Sequence, residues 1–207
     1  MLLDQYGGAH TTTSQLAVQS FERAVRAVGA HRPAGEPLQN ALRFDEGLLS
    51  AHALLGFANV ILGRSETSVL ASSLSASANR VLHERGFGTA SEAALVNSLS
   101  YAARGHLKAA ANVLEAHLED YPTHFVALKI AHSLRFMSGQ PAEMLALTRR
   151  LLPHWTAADA AYGFVLGCHA FGLEEMGYFT EAEAYGRNAY RHEQSDAWGL
   201  HAVSHVM

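Results

Sequence analysis

"SEAALVNSLSYAARGHLKAAANVLEAHLEDYP", Ser91 to Pro122, decides the fold. Two helical runs flank Gly105, and Pro122 closes the second, because proline has no amide to donate and its ring clashes with the preceding turn. Counted from Ser91, small residues fall at positions 8 and 20 (Ser98 and Ala110), an aromatic at 11 (Tyr101), an apolar residue at 24 (Leu114) and proline at 32. The small residues let two helices approach closely, and Tyr101 is expected to fill the space between them. The stretch reads as one helical hairpin.

The unit recurs. Gly139 in "RFMSGQPAE" lies 34 residues after Gly105, and Gly177 in "LEEMGYFTEAEA" follows 38 later. Hairpins at about this period are the tetratricopeptide signature. A second unit starts near Phe125 and keeps Leu128 and Gly139, with His132 at the small position. A third starts near Gly163 and keeps Leu166, Ala170, Ala182 and Ala189. A fourth begins at Ala197 after Asp196 as N-cap.

Upstream, "SQLAVQSFERAVRAVGA" carries an apolar stripe behind Ser14 as N-cap, and "EPLQNALRF" has proline in its first turn. Two further runs end at Gly63 and Gly86, which are C-terminal stop signals. No alternating strand pattern appears. The expected fold is all-α, a tetratricopeptide-like right-handed helical-hairpin solenoid. Residues 1–89 form degenerate hairpins and residues 90–207 clearer repeats, the last incomplete, in one continuous solenoid.

Composition narrows the function classes. The chain has 207 residues, 49% apolar and 16% charged, with net charge −4. That is enough apolar material for a core, and no basic face for nucleic acid. Its one cysteine, Cys168, sits in the apolar "FVLGCHAFG", reads as a buried structural thiol, and makes neither a disulfide nor a cysteine-based zinc site. No signal peptide and no run long enough to span a membrane is visible, so a cytoplasmic location is expected. Phosphate-binding glycine loops and a nucleophile elbow are absent.

Four stretches in order carry a resemblance: "DQYGGAHTTTS" (Asp4 to Ser14), "ALKIAHSLRFMSG" (Ala127 to Gly139), "YGFVLGCHAFGLEEMGYFTEAEAYGRNA" (Tyr162 to Ala189) and "DAWGLHAVSHVM" (Asp196 to Met207). In this order they resemble the tetratricopeptide repeat protein 38 family, in which a D-A-W-x-x-H-x-V-x-H segment follows an F-G-L-E-E helix. The resemblance spans the chain and implies a helical tetratricopeptide-like fold without a well-defined activity. Family members are about twice this length, so the chain looks like an N-terminal half. It departs from the pattern at Ser133, where an acidic residue is usual.

In such a stack the first helix of each unit lines a concave groove. The register places Lys129, Ser133 and Phe136 along it, then Gly167, Phe171 and Glu174, then His201 and His205. His132 and His169 fall nearer the inter-helix packing, with His132 either buried or facing a ligand. Of the adjacent carboxylates, at most Glu174 reaches the groove, because neighbours on a helix point about 100° apart. Trp198 is expected to pack on the preceding helix.

His201 and His205, one turn apart, have the spacing of helical zinc ligands but lack the glutamate of H-E-x-x-H. Two function classes follow. The first is a binding scaffold whose groove takes a peptide, partner protein or small ligand through His132, His201, His205, Phe136, Phe171, Glu174 and Lys129, with no cofactor. The second is a metal-dependent or acid/base enzyme, with His132, His201 and His205 as the metal ligands. The apolar side of the last helix, Leu200, Val203 and Val206, lacks a following partner, so either the chain is a fragment or, if the protein ends here, that face is expected to pack on a second copy in a homo-oligomer.

Overall fold

The computed structural model describes residues 1–206, apart from the side chain of Ser65. Met207, the end of the incomplete repeat, lies outside them. Among the described residues the chain forms eleven α-helices. These are α1 (Gln15–Gly29), α2 (Gly35–Phe44), α3 (Leu49–Ile61), α4 (Ser65–Arg85), α5 (Ala90–Ala102), α6 (Leu107–Asp120), α7 (Phe125–Met137), α8 (Pro141–Leu151), α9 (Tyr162–Glu175), α10 (Phe179–His192) and α11 (Ala197–Val206). They pack as consecutive pairs, α1 on α2 through α9 on α10, with α11 set against both α9 and α10.

The predicted turns form for the expected reason. Gly105, Gly139 and Gly177 have φ of 80°, 64° and 78°, the left-handed region open to glycine. After each, the next amide returns to a carbonyl five residues earlier: His106 to Tyr101, Gln140 to Arg135 and Tyr178 to Leu173. This C-terminal cap satisfies carbonyls the helix leaves open. Close approach at positions 8 and 20 is direct, because the Ser98 hydroxyl donates to the Ala110 carbonyl at 2.8 Å. Tyr101 differs from expectation. It is 40% exposed, with the Arg104 guanidinium 5.3 Å over its ring, and fills no space between helices. Serine and alanine already close that gap.

The N-terminal stretch is not helical. Leu2–Leu3 (β1) pairs antiparallel with Ala9–His10 (β2) around Asp4, whose carboxylate accepts the amides of Tyr6 and Gly8 and binds His10 Nε2 at 2.8 Å. Tyr6 accepts the Phe125 amide, and Gly7 lies so close to Thr123 that a Cβ would sit 2.3 Å from its carbonyl oxygen. The buried Glu92, part of a capping box with Thr89, also accepts from Thr11. The segment thus ties α5 to the start of α7. One core runs from Tyr6 to Cys168, across residue 90. The side of α11 predicted to be bare is largely covered. Val206 packs with Leu145, Leu173 and Ala182, and Val203 lies against α10 near Gly186, leaving Leu200 54% exposed. No helix among the described residues is long and apolar enough to cross a membrane.

Candidate functional site

The predicted groove residues form one continuous line across α7, α9 and α11. Phe136 meets Phe171 edge-on at 5.1 Å, and the Phe171 ring is 5.3 Å from His201, which lies 4.0 Å from His205. His205 Nδ1 is 3.0 Å from Glu174 Oε1. Glu175 points to solvent. The register places these residues on one face of successive helices, where side chains four apart stack.

The centre of the line is Trp198, which the sequence placed on the preceding helix. Its ring stacks on Phe171 at 3.9 Å and lies 6.0 Å from Phe136. Asp196 sets this position. Its buried carboxylate accepts the Gly199 amide at 2.7 Å, capping α11, and occupies space over Gly167 where a Cβ would sit 2.0 Å from Oδ2. Gly167 is therefore a seat for the cap rather than a groove position. Burial pushes the Asp196 carboxyl up to about 6, against the pull of Lys129 and two backbone amides.

His132 does not join the C-terminal histidines, so the ligand set His132, His201 and His205 does not assemble. His132 is fully buried and its Nε2 is 2.9 Å from the Cys168 carbonyl oxygen, bridging α7 to α9. Burial holds its imidazole down near 3. His169 is likewise turned away, 3.0 Å from the Thr148 hydroxyl. Cys168 is a buried thiol pushed up to about 11 by burial, the opposite of an activated nucleophile.

Lys129 reaches the line from below. It is 2% exposed, its Nζ sits 5.3 Å over the Trp198 ring, and it contacts His31 Nε2 at 3.2 Å and Cys168 Sγ at 3.8 Å. Among the described residues no carboxylate forms an ion pair with it. His31 was not singled out by the sequence. It follows α1 at φ 53°, in the place glycine takes in the other turns, and the Arg32 amide makes the same return bond to Ala27. A side chain there costs about 1–2 kcal/mol, and the ring it supplies meets Trp198 edge-on at 4.5 Å. The only available signal was a histidine at a helix stop, which periodicity does not distinguish from a surface residue.

Lys129 and His31 also line a cavity of about 540 Å³ between α1, α3 and α7, with Leu54, Phe57, Ile61 and Ile130 among its apolar walls. Three buried polar atoms on the adjoining line, His132 Nδ1, Trp198 Nε1 and Glu174 Oε2, have no hydrogen-bond partner. The site thus combines an apolar chamber, a buried ammonium group and unpaired polar atoms beside an aromatic platform. No family model matches the chain, and no solved structure matches it.

Proposed function

We propose that the protein is a helical-repeat binding scaffold, with a tetratricopeptide-like right-handed stack of hairpins, whose concave face takes a small ligand with an apolar body and an acidic group. The carrying observation is the 540 Å³ apolar cavity with Lys129, whose buried ammonium forms no ion pair with a carboxylate among the described residues, in its lining. That volume lies in the range of small-molecule sites, which are mostly apolar with a few placed polar groups. Burying a cation without an anionic partner costs free energy, and a bound carboxylate offsets that cost. The resemblance to the tetratricopeptide repeat protein 38 family agrees with a scaffold and names no ligand. A peptide presenting a terminal carboxylate is the variant reading for the same groove.

Calorimetric titration with decanoate and decanol tests the proposal. The wild type is expected to prefer the acid by about tenfold or more, the worth of one charged hydrogen bond. Lys129→Met should erase the preference while retaining binding of the alcohol. Equal binding of the two compounds by the wild type, or an undiminished preference in Lys129→Met, would overturn the assignment.

A further inference from the structure

We propose that Glu174, His201 and His205 form a zinc site at the end of the groove. Their donor atoms, one per residue, all lie within 4.8 Å of one another. Two imidazole nitrogens and a carboxylate oxygen are a donor set that zinc takes, leaving a fourth position open. Both histidines come from one face of α11, where i and i+4 side chains stack, and Glu174 comes from the last turn of α9, which α11 packs against.

The second observation is the carboxylate itself. Glu174 is only 10% exposed, Oε1 contacts His205, and Oε2 is buried with no hydrogen-bond partner. A buried carboxylate oxygen left unpaired is costly, and a cation between it and the two rings removes that cost. Donors around a tetrahedral zinc lie about 3.3 Å apart, given bonds of about 2.0–2.1 Å. The Glu174–His205 pair is already at 3.0 Å. His205 is 54% exposed, so its ring can turn without disturbing the core. His132, bonded to the Cys168 carbonyl, takes no part. The inference does not depend on the acid-binding cavity, because the three ligands are not in its wall.

Titration of chelator-treated protein with zinc at neutral pH, with cobalt as a coloured substitute, tests it. One zinc per chain is expected at micromolar affinity or tighter, with visible cobalt bands. Glu174→Gln, His201→Ala and His205→Ala should each weaken zinc binding at least tenfold and lose the bands. Their circular dichroism should be unchanged, because Glu174→Gln keeps the shape of the buried side chain and the two histidines lie in the last turns of the last helix, His205 54% exposed. The exposed His154→Ala is the control and should bind as wild type does. Failure of the wild type to bind at micromolar zinc, ligand variants that bind as well as wild type, or an equal loss in His154→Ala would each refute the site.

Discussion

Asp196 holds α11 in place at an electrostatic cost. Its carboxylate caps the helix through the Gly199 amide, yet burial raises its carboxyl from 3.8 to about 6. A raised folded value means the folded protein binds the proton more tightly than the unfolded chain. The resulting stabilisation is complete below the unfolded value and is lost as pH rises through 6. Above that the fold carries a penalty of up to about 3 kcal/mol. Asp196→Asn keeps an acceptor for the cap and removes the charge. It is expected to be more stable than wild type in urea at pH 7.5, by about 1–3 kcal/mol, with the gain shrinking at pH 4.5. A variant less stable than wild type at pH 7.5 would show that attraction to Lys129 outweighs burial.

At the level of elements, α11 owes its position to backbone contact with α10. A Cβ on Gly186 would lie 2.6 Å from the Gly199 carbonyl oxygen and 2.8 Å from Val203 Cγ2. The oxygen belongs to a helix backbone and can yield only if α11 moves. Gly186→Ala is therefore expected to cost about 1–3 kcal/mol, as overpacking does, and to lift Trp198 from Phe171. In a Trp155→Phe background, thermal unfolding and Trp198 emission report both effects. Unchanged emission with full stability would mean that the helices slide past one another freely.

The same contact explains what the sequence could and could not disclose. The hairpins were legible because left-handed turns require glycine at Gly105, Gly139 and Gly177, and because Ser98 and Ala110 are small where helices touch. Register placed Phe136, Phe171, His201 and His205 on one face, and these rings do meet across the helices. Trp198 did not follow from register, because its position is set by Asp196 reaching over Gly167, 29 residues earlier in the chain. His31 meets Lys129 across 98 positions, and that contact leaves no local periodicity. Tyr101 misled because an aromatic at a repeat position is needed as filler only where the neighbouring residues leave a gap.

Four histidines with depressed values, His117, His124, His132 and His169, are buried, and this sets the molecule's response to acid. Burial is the leading cause holding His169 down at about 4, His124 and His132 at about 3, and His117 below its usual value. These rings tie the molecule together. His117 Nε2 is 2.9 Å from His124 Nδ1 between α6 and α7, and His132 bridges α7 and α9. These four are harder to protonate in the fold than in the unfolded chain, whose histidines take up protons near 6.5. A depressed folded value contributes stability that is present above 6.5 and is lost as pH falls towards 4. Asp196 acts in the opposite sense, but as one group against four. The urea midpoint is therefore expected to fall steadily between pH 7 and pH 5, above the range where ordinary carboxylates titrate. The loss should reach several kcal/mol, since each of the buried His124, His132 and His169 contributes up to about 1.4 kcal/mol per pH unit in that window. A midpoint that holds constant down to pH 5 would mean that these imidazoles accept protons within the fold, and that their burial is not what keeps the helices together.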